Sequence, residues 1–305
     1  MPPALRAATR GSALALWQTG HVADLLAEVF GAFVEQVVVD TAGDRLQDVA
    51  IWEIGGRGVF VKEVQAAVLD GRADIAVHSA KDLPSSATPG LVIAAVPARA
   101  DPRDALVGAR LDALPTGGLV ATGSVRRRAQ LASLRPDLTF TGLRGNVDTR
   151  LAKAPDFAAI VMAAAALDRL GYADRAAELL DCSVMVPQVG QGALAIEARE
   201  GDVEVLERLA PIEHRPTRRA VDAERAYLAE IGGGCDLPVG AHARVGADGS
   251  MRLDAVLASL DGRIVLRAGG DAAATDGEEL GRGVARRLLD ECGGSWLLDG
   301  LRGVA

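Results

Sequence analysis

The stretch that decides the fold is residues 73–84, Ala-Asp-Ile-Ala-Val-His-Ser-Ala-Lys-Asp-Leu-Pro. The apolar run at 75–77 has the length of a buried strand, and Pro84 stops any regular element. In open α/β sheets, ligands bind outside the carboxyl ends of the strands. The polar residues after the run, in which Lys81 and Asp82 stand side by side, therefore form a candidate site. A capped loop with a surface ion pair is the alternative for this stretch.

Strand and helix patterns alternate on both sides of this stretch. Further strands are predicted at 4–9, 34–39, 91–96, 119–121, 138–141, 159–162 and 193–198, and helices at 13–29, 61–70, 125–134 and 163–170. Towards the end of the chain we expect a helix at 216–231, strands at 240–246, 251–259 and 263–268, and a helix at 276–291. The doubled pattern predicts an α/β fold of two similar domains with a cleft between them, plus a small C-terminal α+β domain. The predicted boundaries are 1–98 with 193–211, 99–192, and 212–305.

Composition and cysteine content limit the classes of protein to which the chain can belong. The 305 residues are 49% hydrophobic and 24% charged, as in ordinary globular proteins. No run of about 18 apolar residues is present, so we expect no membrane span. The N-terminus lacks the apolar core of a signal peptide. The three cysteines are odd in number and widely spaced, which argues for a reducing compartment, so we predict a cytoplasmic protein.

Charge is the second guide to function. A net charge of −8 argues against nucleic-acid binding, because no broad basic excess exists to collect phosphates. Arginine is concentrated locally, at Arg126, Arg127, Arg128, Arg135, Arg144 and Arg150. The planar guanidinium pairs bidentately with carboxylate or phosphate, so this segment predicts a site for a small, highly anionic ligand. The alternative is a solvated basic face.

Two predicted strand-to-helix turns carry polar residues where backbone N–H groups favour an anion. The first turn holds Arg10 and Ser12, and the second begins at Thr122. Arg126 and Arg127 fall in the first turn of the helix after the second turn, where they oppose the helix dipole. Their presence there requires a ligand or a partner that compensates their charge.

Two further segments stand out. Three glycines surround Arg57 just before Phe60, which predicts a lid over the site, with a plain connecting loop as the alternative. Cys235 follows three glycines and is expected to be an accessible thiol; an incidental exposed thiol is the alternative. No base stands beside it, which disfavours a papain-like nucleophile. The four histidines show no metal-ligand spacing, so no metal is predicted.

Several motifs, in the same order along nearly the whole chain, resemble the porphobilinogen deaminase (hydroxymethylbilane synthase) family. They are Ala8-Thr9-Arg10-Gly11-Ser12, Leu16-Trp17-Gln18, residues 58–63 and 74–84, Asp101-Pro102-Arg103-Asp104, Leu143-Arg144-Gly145-Asn146-Val147, Thr149-Arg150-Leu151, Val189-Gly190-Gln191-Gly192 and Gly233-Gly234-Cys235. The resemblance implies three domains, the first two similar to type II periplasmic binding proteins.

The resemblance also implies an activity and a cofactor. The family enzymes, which are transferases, carry a dipyrromethane primer on a cysteine through a thioether, and Cys235 matches that position. Four porphobilinogen molecules are deaminated and added head to tail, and the linear tetrapyrrole hydroxymethylbilane is released by hydrolysis. The implied keywords are tetrapyrrole, porphyrin and heme biosynthesis. Asp82 matches the catalytic aspartate, and the implied partner is porphobilinogen, bound by a monomer.

Residue roles carried over from the family explain the arginine concentration, because each pyrrole unit bears an acetate and a propionate. The residues matched to the carboxylates of the primer are Lys81, Thr122, Ser124, Arg126 and Arg127. Those matched to substrate or growing chain are Arg10, Ser12, Gln18, Arg144, Arg150 and Arg169. Arg128 lies outside the matched pair and is expected at the surface.

Two departures and one rival function accompany this interpretation. Many relatives have lysines in the glycine-rich loop where this chain has Glu53 and Arg57; Arg57 keeps the positive charge of these lysines, whereas Glu53 reverses it. Asp236 beside the cysteine should make Cys235 slightly less ready to ionise. The rival is a cytosolic binding protein of the same fold for a small polycarboxylate ligand, which would need neither Cys235 nor Asp82.

Overall fold

The computed structural model describes residues 4–31, 33–41, 61–234 and 237–302. In chain order, the strands of these ranges are β1 (Leu5–Arg10), β2 (Val34–Val39), β3 (Ile75–Ser79), β4 (Leu91–Ala95), β5 (Asp104–Val107), β6 (Leu119–Ala121), β7 (Thr139–Thr141), β8 (Ala159–Ala163), β9 (Glu178–Leu180), β10 (Leu194–Arg199), β11 (Val239–Val245), β12 (Ser250–Ala258) and β13 (Val265–Ala273). The helices are α1 (Ala13–Phe30), α2 (Lys62–Leu69), α3 (Val125–Leu134), α4 (Val147–Lys153), α5 (Ala164–Arg169), α6 (Val203–Leu209), α7 (Arg215–Ile231), α8 (Gly277–Arg286) and α9 (Gly294–Arg302).

Backbone contacts divide the chain into two units. The first unit is Met1–Ala100 with Gly192–Arg218, and the second unit is Asp101–Gln191 with Arg219–Ala305. The boundaries of the three domains expected from the sequence stay a prediction.

The first unit is built on a five-stranded sheet of order β2-β1-β3-β10-β4. β1 runs parallel to β2 and β3, whereas β10 is antiparallel to both of its neighbours. Alternate residues of each strand face opposite sides of the sheet. Leu5 and Ile75 therefore pack with α1 and α6 on one side, and Ala8 and Ala76 pack with α2 on the other. The predicted buried run at 75–77 is thus the centre of this sheet.

The second unit repeats this strand order. Its five-stranded sheet has the order β7-β6-β8-β5-β9. β6 is parallel to β7 and β8, and β5 is antiparallel to β8 and β9. When β6, β7 and β8 are matched to β1, β2 and β3, the antiparallel strand β5 takes the place of β10. This shared order confirms the predicted pair of similar α/β domains.

A three-stranded antiparallel sheet, β11-β12-β13, completes the second unit. Tyr227 and Ile231 of α7 pack with Val284 of α8 against the apolar side of this sheet. The helix expected at 276–291 is confirmed as α8, which continues as a π-helical turn over Arg287–Glu291, and α9 follows it as a helix that was not predicted. The predicted small C-terminal α+β part is confirmed.

None of the helices in the described ranges is both long enough and apolar enough to span a lipid bilayer.

Candidate functional site

The predicted site residues of the first unit lie where its parallel strands end, here called its carboxyl edge. β1 ends at Arg10, and the Ser12 side chain then caps α1, its Oγ accepting a hydrogen bond from the Ala15 N–H at 3.3 Å. β3 leads directly into a 3₁₀ turn that contains Lys81 and Asp82. Because β1 and β3 are neighbouring parallel strands, these residues share one edge of the sheet.

Asp82 is the carboxylate of this edge. Its side chain is half-buried, and within the described part of the chain no residue makes a hydrogen bond or an ion pair with it. Lys81, also half-buried, has an interaction partner of its own. Gln18 lies in the second turn of α1 and is buried. The Asp82 carboxylate is therefore available to a ligand, whereas Lys81 is already engaged.

A buried polar cluster behind this edge was not recognised in the sequence. Glu197 of β10 accepts two hydrogen bonds from Gln65 Nε2, at 3.1 and 2.8 Å, and His78 Nε2 lies 3.1 Å from its Oε2. Thr88 Oγ1 donates to Gln65 Oε1 at 3.1 Å. The cluster joins β3, β10 and α2 behind the Lys81–Asp82 turn. Its members are separated by up to 132 residues, so no local pattern reveals it.

The second unit has a matching corner after β6. Thr122 Oγ1 accepts a hydrogen bond from the Ser124 N–H at 3.2 Å, and Ser124 Oγ caps α3. A Cβ at Gly123 would lie 2.9 Å from the Leu143 carbonyl oxygen, so this close approach requires glycine. The corner therefore lies against the loop after β7, which carries Arg144.

Arg126 and Arg127 of α3 are both buried and share one carboxylate, that of Asp104. Arg126 Nη1 donates to Asp104 Oδ2 at 2.7 Å, and Arg127 Nε donates to Oδ1 at 2.8 Å. Burial alone would raise the pKa of Asp104, but the two guanidinium charges outweigh it and hold that pKa well below its usual range. Burial lowers the pKa of Arg127. Asp104 is thus a partner of the kind predicted from the sequence, because it compensates the charge of the two arginines in the first turn of α3.

Some guanidinium nitrogens at this corner have no partner. Arg126 Nε and Nη2 and Arg144 Nη1 are buried without a hydrogen-bond partner among the residues that the structure describes. Buried donors are nearly always paired in folded proteins, so such atoms point to an absent acceptor. A carboxylate is the natural acceptor for them.

The remaining predicted arginines of the second unit differ in their surroundings. Arg150 Nε donates to the Gly145 carbonyl at 2.8 Å. Arg169 at the end of α5 is buried, and this burial lowers its pKa to about 10. Arg128 is exposed, as expected. Because β7, β6 and β8 are neighbouring parallel strands, the segments that follow them, with Thr122, Ser124 and Arg144, meet at the carboxyl edge of this unit.

Several predicted residues lie outside the described ranges: Arg57 and Phe60 of the expected lid, Glu53, Cys235 and Asp236. The other two cysteines, Cys182 and Cys292, are half-buried. In the described ranges, no three histidine, cysteine, aspartate or glutamate side chains cluster as metal ligands would.

Comparison with protein families assigns nearly the whole chain. Residues 5–207 match the family model described as "Porphobilinogen deaminase, dipyromethane cofactor binding domain", and residues 219–290 match "Porphobilinogen deaminase, C-terminal domain". The predicted dipyrromethane cofactor agrees with the first description, whereas its attachment to Cys235 stays a prediction.

Curated relatives agree with these matches. A porphobilinogen deaminase from Roseiflexus castenholzii is 48% identical over 98% of this chain and 100% of its own length. One from Acidothermus cellulolyticus is 49% identical over 93% of this chain and 88% of its own. Among solved structures, immunogenic lipoprotein A from Vibrio vulnificus aligns at a TM-score of 0.41 with 14% identity, covering 70% of this chain and 96% of that one. The chain belongs to the porphobilinogen deaminase family of transferases.

Proposed function

We propose that this protein deaminates four porphobilinogen molecules and joins them head to tail on a dipyrromethane primer attached to Cys235 through a thioether. The linear tetrapyrrole hydroxymethylbilane would then be released by hydrolysis. The observation that carries the proposal is the buried arginine pair of the second unit. Two guanidiniums share the single carboxylate of Asp104, and two donors of Arg126 remain without a described partner.

This corner fits the primer chemically. Each pyrrole unit bears an acetate and a propionate, so a two-ring primer brings four carboxylates. A buried cluster with one excess positive charge and unpaired N–H groups stabilises carboxylates and disfavours a neutral ligand. The residues proposed to hold the primer, by direct contact or through a neighbouring side chain, are Lys81, Thr122, Ser124, Arg126 and Arg127. The hydroxyls of Thr122 and Ser124 would add O–H donors beside the guanidinium groups. When bound, the dipyrromethane supplies the terminal pyrrole carbon to which the first substrate is joined.

Asp82 is proposed as the catalytic carboxylate. As ammonia leaves porphobilinogen, positive charge develops on the substrate and spreads to its pyrrole nitrogen. A carboxylate with no other described partner can stabilise that charge, accept the pyrrole N–H as a hydrogen bond, or move a proton. The half-buried setting of Asp82 strengthens these interactions relative to those in water.

The incoming substrate also carries an acetate and a propionate. The residues proposed to bind it or the growing chain are Arg10, Ser12, Gln18, Arg144, Arg150 and Arg169. Among them, Arg144 has a buried nitrogen without a described partner and Arg169 is a buried cation, so both are suited to a carboxylate. A lid over the site that contains Arg57 and Phe60, a monomeric state and a cytoplasmic location remain predictions.

The proposal is tested by counting products. Purified protein is incubated with porphobilinogen, and the released ammonia and hydroxymethylbilane are quantified against time. We expect four ammonia molecules for each tetrapyrrole at steady state, with many turnovers for each chain. Binding of porphobilinogen without ammonia release would instead favour the rival function, a polycarboxylate-binding protein.

A further inference from the structure

Arg126 and Arg127 are neighbours in sequence but are bonded differently. Every nitrogen of the Arg127 guanidinium has a protein partner. Nε donates to Asp104 Oδ1 at 2.8 Å, Nη1 donates to the Val161 carbonyl at 3.0 Å, and Nη2 donates to Gln191 Oε1 at 3.4 Å. Gln191 in turn donates to Asp104 Oδ1 at 3.0 Å. Arg127 is therefore saturated by protein groups.

Arg126 uses only one of its nitrogens. Nη1 donates to Asp104 Oδ2 at 2.7 Å and to the Val186 carbonyl at 2.8 Å. Nε and Nη2 have no hydrogen-bond partner among the described residues, although the side chain is only 3% exposed. One complete edge of this guanidinium is therefore unpaired in a buried setting, where an unmade hydrogen bond is costly.

The unpaired edge is the one with which three other arginines of this chain bind an aspartate. In the described ranges, Nε and Nη2 of one arginine both donate to a single aspartate in Arg6 with Asp74, Arg103 with Asp101, and Arg135 with Asp137. The donor-to-oxygen distances in these pairs run from 2.6 to 3.2 Å. Such side-on pairs are strong and fix the orientation of both partners. In Arg126 the same Nε–Nη2 edge has no aspartate bound to it among the described residues.

We propose that Asp104 is a positioning residue for the primer. It holds Arg126 by Nη1 so that the Nε–Nη2 edge binds one primer carboxylate, while Arg127 supports Asp104 and does not touch the primer. This role rests on the proposed function, because it takes the ligand to be the dipyrromethane. The proposal gives Arg126 and Arg127 different roles, although the sequence alone does not distinguish them.

Charge and geometry both require Asp104 at this place. Two guanidiniums and one carboxylate leave one excess positive charge, which a single ligand carboxylate neutralises. Without Asp104 the two guanidiniums would repel each other, and Arg126 would keep only the Val186 carbonyl as a fixed partner. Glutamate at this position keeps the charge but moves the carboxylate by one methylene, so it separates the effect of position from the effect of charge.

The test measures primer loading. Wild-type, Asp104→Glu, Asp104→Asn and Asp101→Asn chains are produced in cells that cannot make porphobilinogen, and folding is checked by circular dichroism and thermal unfolding. Each is titrated with porphobilinogen, and the fraction that gains two pyrrole units is read by intact mass after denaturation. Asp101→Asn is the matched control, because the ion-pair partner of Asp101 among the described residues is Arg103 in the same segment.

We expect folded Asp104→Glu and Asp104→Asn to need at least about tenfold more porphobilinogen for half loading, since each loses a bidentate charge-assisted contact. The control should stay within about twofold of wild type. A folded Asp104→Glu chain that loads like wild type would overturn the positioning role. A wild-type chain that never gains mass would instead overturn the proposed function itself.

A structure of the loaded wild-type protein decides the matter if both Asp104 variants fail to fold. A primer carboxylate on Nε and Nη2 of Arg126, with Arg127 still bonded to Asp104 and Gln191, supports the proposal. A primer carboxylate on Arg127 with Asp104 displaced would contradict it.

Discussion

The two five-stranded sheets have the same strand order but carry different charged side chains at their carboxyl edges. The first unit presents Asp82, a carboxylate without a partner in the described ranges, above the buried acid Glu197. The second unit presents buried arginines, of which Arg126 and Arg127 share one aspartate. Beside Arg10 and Lys81, the first edge therefore carries a carboxylate that can stabilise positive charge and move protons, whereas the second edge carries buried arginines suited to binding carboxylates.

A single matched position accounts for part of this difference. In the second unit, the antiparallel strand β5 begins with Asp104, which pairs in register with Ala163, the last residue of β8. In the first unit, β10 begins with Leu194, which pairs with Ser79, the last residue of β3. An aspartate at this position anchors buried arginines, whereas a buried leucine cannot. The two units share a strand order, but they differ in the first residue of the antiparallel strand. This residue decides whether buried arginines can be neutralised at that edge.

The largest effect is expected from Asp82→Asn, which removes the charge of the first edge and keeps its shape. We expect kcat to fall by about 10²- to 10⁴-fold, the range of a lost general acid–base group. Thermal stability should be unchanged, because no described residue pairs with Asp82. Ammonia release from loaded enzyme measures the rate, with exposed Asp70→Asn as the matched control. Near-normal turnover would remove Asp82 from the mechanism.

Asp104→Asn should destabilise the second edge. Removing one partner of a buried ion pair leaves uncompensated charge, so we expect the free energy of unfolding to fall by about 3–5 kcal/mol. Asp101→Asn removes a half-exposed pair and should cost less than about 1 kcal/mol. Urea unfolding of both variants measures the difference, and equal losses would contradict the buried role of Asp104.

Acid should act on the second edge through the same carboxylate. The pKa of Asp104 lies below its value in the unfolded chain, so the unfolded state binds more protons as the pH falls. Its stabilisation is complete above about pH 4 and is lost progressively below that value. Unfolding free energies of wild type and Asp104→Asn measured between neutral pH and pH 3 should therefore converge on the acid side. A constant difference over this range would contradict the lowered pKa.

Substitutions of two arginines in the second unit should distinguish substrate binding from folding stability. Arg144→Gln should raise the KM for porphobilinogen by about tenfold with little change in the melting temperature, since Arg144 has a buried nitrogen without a described partner. Arg135→Gln should lower the melting temperature and leave KM unchanged, because Arg135 donates to the Leu111 and Leu114 carbonyls and to Asp137. The opposite pattern would show that the two roles are exchanged.

The smallest effect is expected from Arg128→Gln, on the same helix as the buried pair. Arg128 is exposed, so loading and stability should both stay within about twofold of wild type. Intact-mass titration measures the loading. A loss comparable with that of Arg126→Gln would mean that the helix face as a whole attracts the primer, not one guanidinium edge.

Local signals predicted most of the elements that carry the site. α1 was expected at 13–29 and spans Ala13–Phe30, because Ser12 caps it and its apolar residues recur with helical period. β2 and β6 were predicted at their observed bounds from short apolar runs. The carboxyl-edge positions of Lys81, Asp82, Thr122 and Ser124 followed from this alternation.

Long-range pairing explains what the sequence did not reveal. β5 was not among the predicted strands, because an aspartate at a buried strand start is stable only when Arg126 and Arg127, more than 20 residues later, neutralise it. β13 was expected to stop at 268 but continues to Ala273 through Gly269 and Gly270. A Cβ at Gly270 would lie 2.9 Å from Leu280 Cδ1 of α8, so this glycine lies at a helix-packing contact and does not mark a turn.

The central claim is the covalent primer, and the intact mass of denatured protein after incubation with porphobilinogen tests it most directly. The wild-type chain and Cys182→Ala should both carry the added mass of two linked pyrrole units, located by peptide mapping at Cys235. Cys235→Ala should keep the mass of the bare chain. An unmodified wild-type chain, or a pyrrole adduct that persists in Cys235→Ala, would contradict the account.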